Sequence, residues 1–314
     1  MQTGATTPDV TPTVIVATTT GTTTSTTTST TTSTIASTST TSTATSTIAP
    51  TSTTSTTYAT YATSTTVSST DPPVASSPDV GNRALPDIPV LDARSFPLDQ
   101  PVEIGRSVDG RPITVVHRGT PGGTRVLAVG VIHGNEAAGI AIIDRLFAEP
   151  IPAGIELWLV RSMNPDGEAR NDRQNTHLVD LNRNFPERWD VLGTPGDWQY
   201  GGEGPASEPE TQAMVALGDS VRPELTLWYH QDLFRISPGE GRDGEIRTRY
   251  AEIAGLPVVD ITGGTYTGTA SQWTRTVTPD DGVGITVELG PALSAAEVEA
   301  HVAAVLTVAQ QYWP

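Results

Sequence analysis

The chain has 314 residues, no Cys, no Lys, and a net charge of −17 from 35 acidic and 18 basic residues. The lack of Cys excludes disulfides, thiolate metal sites and cysteine nucleophiles. The acid surplus argues against nucleic acid as a partner, because phosphate binding wants a basic face.

Residues 1–82 contain no Lys, Arg, Glu or His, and their middle is almost wholly Thr, Ser and Ala, as in TTTSTTTSTTTSTIASTST. Too few large apolar side chains are present to offset the entropy of ordering such a segment. It reads as a disordered tail or stalk, of a kind often O-glycosylated outside cells. That favours an extracellular or wall-associated location. The first residues, however, show neither the basic n-region nor the apolar h-region of a secretory signal, which leaves the cytoplasm open. No apolar run approaches the length of a membrane span. Residues 83–314 remain as one domain of net charge −14, long enough for a single substantial core.

Within that domain IGRSVDGRPITVVHRG reads as a hairpin turning at Asp109-Gly110. TRVLAVGVIHG is a nearly continuous apolar run, the pattern of a strand buried on both faces, and AAGIAIIDRLFAE follows with helical spacing. IELWLVRSMNPDG repeats strand then turn. EPETQAMVALGDS is expected to be a helix opened by a capping box of Ser207 with Glu210. TLWYHQD and GVGITVELG are two more apolar runs that end abruptly in polar residues. The closing helix AAEVEAHVAAVLTVAQQ has its own capping box, Ser294 with Glu297. Strand–helix alternation over this length predicts an α/β fold, a three-layer α/β/α sandwich around a parallel or mixed sheet.

Chemistry gathers at the strand ends, where ligands collect in open α/β sheets. His133 follows VLAVGVI, His230 follows TLWY, and Glu136 lies three residues past His133 in the turn HGNE. Two imidazoles and a carboxylate, with a position left for water, describe a catalytic zinc site. Glu288, in ITVELG, is suited to take a proton from water at that metal. RNDRQNTHLVDLNRNFP adds Arg173, Asn182 and Arg183 after another strand end, and Arg binds carboxylates and oxyanions strongly. His177 reads as a loop residue near the cleft. His117 and His301 read as structural or solvated, and Trp158 and Trp228 as core.

Taken in order, HGNE, NPDG, DLNRNF, a lone His after an apolar strand, and VELG resemble the zinc carboxypeptidase family, most nearly its small bacterial murein peptide amidase type. SVDGRPI and SEPETQA also match recurring segments of that family, and the resemblance spans about residues 100–310. It implies a zinc carboxypeptidase-like sandwich with a central mixed sheet, and one zinc ion held by His133, Glu136 and His230. It further implies Arg173 at the scissile carbonyl, Asn182 and Arg183 on the substrate's terminal carboxylate, and Glu288 as general base and then proton donor. The family's substrate-closing tyrosine would fall at Gly264, so Tyr266, two residues on, is the candidate. The implied substrate is a peptide with a free C-terminal carboxylate, first a peptidoglycan stem peptide cut at its γ-D-glutamyl–diaminopimelate bond. An ordinary peptide carboxypeptidase, a zinc deacylase of N-acyl amino acids and an inert wall protein are the alternatives.

Overall fold

The computed structural model describes residues 83–313, and the tail expected over residues 1–82 lies outside them. Seven strands form one sheet: β1 (Pro101–Arg106), β2 (Pro112–Gly119), β3 (Thr124–Val129), β4 (Ile155–Val160), β5 (Leu225–Gln231), β6 (Arg235–Ile236) and β7 (Val283–Leu289). Their spatial order is β1-β2-β4-β3-β5-β7-β6. The central run β4-β3-β5-β7 is parallel, and the flanking pairs are antiparallel, so the sheet is mixed as expected. β1 and β2 form the anticipated hairpin, in which Gly110 takes φ 82°, a left-handed value that costs glycine little.

The helices are α1 (Gly139–Ala148), α2 (Pro165–Arg170), α3 (Pro209–Val221), α4 (Gly241–Ala254), α5 (Ala270–Val277) and α6 (Ala295–Tyr312). Strand alternation splits the core in two. Val126 and Ala128 of β3 point to the side where α1, α4 and α6 contribute Ile142, Tyr250 and Val305. Leu127 and Val129 point to the other side, with Met214 of α3 and Trp273 of α5. Central strands covered on both faces have no reason to alternate polar with apolar residues, which is why they read as unbroken apolar runs. The result is the three-layer α/β/α sandwich.

Two expected boundaries shift. Ser207 and Glu210 form no capping box: the N-cap is Glu208, and the helix starts at Pro209. Proline is pre-organised for the first helical position, and here it sets the start. Glu210 turns inward, fully buried, and accepts from Val108 N at 3.0 Å and Asn175 Nδ2 at 3.0 Å. NPDG, expected as a turn, opens α2 instead: Asn164 Oδ1 accepts from Gly167 N at 2.9 Å, and Pro165 takes the first position. The Ser294–Glu297 box is present as expected.

Candidate active site

β3, β5 and β7 run parallel, so their carboxyl ends deliver residues to one edge of the sheet. His133 and Glu136 lie in the turn beyond β3, closed by Glu136 N donating to His133 O at 2.9 Å. Gly134 inside this turn has no room for a side chain: a Cβ there would stand 1.9 Å from the Gly167 carbonyl carbon. The ligand turn therefore rests directly on the backbone of α2. His230 closes β5 and pairs in register with Glu288 on β7.

The three expected ligands converge. Glu136 Oε1 lies 2.9 Å from His133 Nδ1, its Oε2 lies 2.8 Å from His230 Nδ1, and the two Nδ1 atoms are 3.2 Å apart. All three residues are buried, and their donor atoms lie within 4.8 Å of one another. Burial alone would raise the Glu136 pKa, but the two imidazoles outweigh it and hold the carboxyl well below its ordinary range.

The surroundings fit a metal as well. His133 Nε2 meets Asp180 Oδ1 at 2.9 Å, and a proton shared there leaves Nδ1 free as a ligand lone pair. Asp180 is fully buried and also accepts from Asn182 N at 2.9 Å. The guanidinium of Arg183 lies 3.9 Å away. Despite burial, the charges of His133, Arg173 and Arg183 keep Asp180 well below the usual carboxylate range. No motif in the sequence marks this aspartate as a partner of a metal ligand. Two imidazoles and one carboxylate, with an orienting carboxylate behind the first imidazole, form a donor set suited to catalytic zinc.

Arg173 lies against the ligands. Its Nη1 donates to Glu136 Oε1 at 2.9 Å, its Nη2 donates to Asp180 Oδ2 at 2.9 Å, and its guanidinium stacks 5.1 Å from the Trp198 ring. Arg170, three residues earlier in the chain, points away to Thr176 and Asp109. Asn182 lines the same cavity, but both ends of its amide are engaged. Oδ1 accepts from Ala270 N at 2.9 Å, and Nδ2 faces His230 Nε2 at 3.2 Å. In this structure the amide nitrogen thus rests against the back of the His230 ring. A metal on His230 Nδ1 would put the ring proton on Nε2, where the Asn182 amide can no longer donate.

Arg183 is buried beneath Tyr266, with its guanidinium 5.2 Å from the ring centroid and its Nε donating to Thr265 O at 2.7 Å. Burial lowers its pKa from the ordinary value without neutralising it. Tyr266 itself is exposed at the rim. Glu288 is buried, lines the cavity, and its Oε2 has no hydrogen-bond partner among the described residues. The whole cavity measures about 550 Å³ and holds all eight expected site residues. Its further arginines, Arg188, Arg247 and Arg275, carried no motif that marked them in the sequence.

The remaining histidines lie elsewhere. His117 stacks on Trp158 at 4.1 Å, His301 is buried against Tyr250 at 2.9 Å, and His177 pairs with Glu208 at 2.8 Å. Trp158 and Trp228 are core residues, as is Trp273.

A family model described as zinc carboxypeptidase matches residues 98–232. Murein peptide amidase A of Vibrio campbellii is 26% identical over 234 residues, covering 71% of this chain and 92% of that protein. Its Escherichia coli counterpart is 28% identical over 180 residues, covering 54% and 74%. Among solved structures, the murein-tripeptide amidase of Escherichia coli is similar with a TM-score of 0.55 and 26% identity, over 69% of this chain and 93% of that one. Carboxypeptidase A of Helicoverpa armigera, at 18% identity and a TM-score of 0.60 over 68% of each chain, shares the fold.

Proposed function

Since this chain carries a zinc carboxypeptidase domain, we propose that it hydrolyses a murein stem peptide at the γ-D-glutamyl–diaminopimelate bond, next to the free terminal carboxylate. The observation that carries the reading is the convergence of His133, Glu136 and His230 one strand away from Glu288, inside a cavity that also holds Arg173 and Arg183. The murein peptide amidases matched over most of their length support the substrate.

His133 Nδ1, Glu136 and His230 Nδ1 would hold a zinc ion, which when bound would acidify water and polarise a carbonyl oxygen. The chain's own groups do the rest. Glu288 takes a proton from the attacking water, whose oxygen bonds to the carbonyl carbon, and then gives it to the leaving nitrogen as the C–N bond breaks. Its unpartnered Oε2 leaves that role unobstructed. Arg173, released from Glu136, donates to the carbonyl oxygen as negative charge develops there. Arg183 holds the terminal carboxylate, and Tyr266 covers it from the rim. Asp180 orients the His133 imidazole, and Asn182, its amide nitrogen freed once the His230 ring proton sits on Nε2, joins Arg183 on the terminal carboxylate.

The test compares release of diaminopimelate from L-Ala-γ-D-Glu-meso-diaminopimelate with release of terminal residues from blocked α-linked dipeptides. Faster cleavage of the murein tripeptide supports the proposal. Preference for the α-linked dipeptides would replace it with an ordinary carboxypeptidase, and activity confined to acetyl- or succinyl-amino acids with a deacylase.

A further inference from the structure

The cavity is cationic inside an acidic domain. Five arginines line it, Arg173, Arg183, Arg188, Arg247 and Arg275, against three carboxylates, Glu136, Asp232 and Glu288. Glu136 belongs to the metal site and Glu288 to proton transfer. Asp232 lies just past the carboxyl end of β5.

The other direction along the sheet is different. Glu288 and Thr286 of β7 both line the cavity, and Gly284 continues the same face by strand alternation. Four residues at about 3.3 Å each set Gly284 roughly 13 Å from Glu288 along the strand. Gly284 O accepts from Arg247 Nη2 at 2.6 Å, and Asp243 fixes Arg247 Nε at 2.7 Å. Ser271 and Arg275, one turn apart on α5, line the same cavity. Arg247 is buried and already paired, whereas Arg275 is exposed and joins no salt bridge among the described residues. Ser271, Thr286 and Ser237 offer this end hydroxyls rather than a large apolar surface.

We infer that Arg275, backed by the fixed Arg247, reads the carboxylate that the released residue carries at the far end of its side chain. This rests on the hydrolase reading above and adds specificity-determining residues to it. A lysine-like terminus would meet like charge here, and an aliphatic one would leave the arginine unpaired.

The experiment uses the full, zinc-loaded chain and γ-D-glutamyl dipeptides ending in α-aminoadipate, lysine or norleucine. The expected kcat/KM for α-aminoadipate exceeds that for norleucine at least about tenfold, the scale of a charged hydrogen bond. Arg275→Glu should reverse the preference toward lysine. This variant carries the test because Arg247 is tied into the fold. Calorimetric binding of free α-aminoadipate and lysine to the chain, with and without zinc, gives a second readout that needs no turnover. Cleavage with no preference, or a ratio unmoved by Arg275→Glu, overturns the inference while the hydrolase reading stands. If neither the dipeptides nor the murein tripeptide is cleaved, the hydrolase reading fails; if the tripeptide alone is cleaved it stands, and in either case equal binding of the two amino acids overturns the inference.

Discussion

Replacing Asp180 by Asn is expected to weaken zinc binding without unfolding the domain. The carboxylate is fully buried, meets His133 Nε2 and Arg173 Nη2 each at 2.9 Å, and accepts from Asn182 N at 2.9 Å. Asparagine keeps the shape and one acceptor, so packing survives. It loses the charge, and its amide group can turn toward His133 Nε2, favouring the tautomer whose proton sits on Nδ1. That proton blocks the lone pair a metal needs. Loss of an orienting partner behind a metal-bound histidine typically costs ten- to a hundredfold in affinity, or about 1.4 to 2.8 kcal/mol. Competition against a chromophoric zinc chelator, at matched thermal stability, measures it directly. An unchanged zinc affinity would refute the orienting role of Asp180.

Three further outcomes are expected. Gly134→Ala should lower zinc affinity and stability together, because the new Cβ would overlap the Gly167 backbone and push the ligand turn off α2; a normal metal affinity in a folded variant would contradict this. Glu288→Gln should bind zinc normally yet lose nearly all turnover, and undiminished turnover would remove Glu288 from proton transfer. Burial, only partly countered by Glu297, pushes His301 down to about 4, so the folded state prefers it neutral. Its contribution is complete above about pH 6.5 and is lost as pH falls toward 4, by about 3 kcal/mol. Urea midpoints of His301→Gln should therefore fall less steeply over that window than those of the parent, and parallel curves would contradict it.

Much of this site was legible because its residues stand where unbroken apolar strands stop. His133, His230 and Glu288 each follow or close a strand buried on both faces, and those runs are visible in sequence. Asp180 was less legible, since its contact with His133 spans 47 residues and depends on how the loop after α2 returns. Asn182 shows the same limit: Ala270 N holds its oxygen and so aims its amide nitrogen, through a contact that spans 88 residues. α4 went unread because its sequence, GRDGEIRTRYAEIA, is mostly polar, and only Ile246, Tyr250, Ala251 and Ala254 mark an inward face. Pro209 outranked a serine-based cap at α3, and Pro165 could have signalled a helix at NPDG.

The most direct measurement titrates zinc into the chelator-stripped full chain while following release of the C-terminal residue from the murein tripeptide. The expected result is no turnover without metal, and turnover that rises to a plateau at one zinc per chain. Turnover that persists in chelator, or a chain that binds one zinc and cleaves no peptide, would contradict a zinc peptidase built on His133, Glu136 and His230.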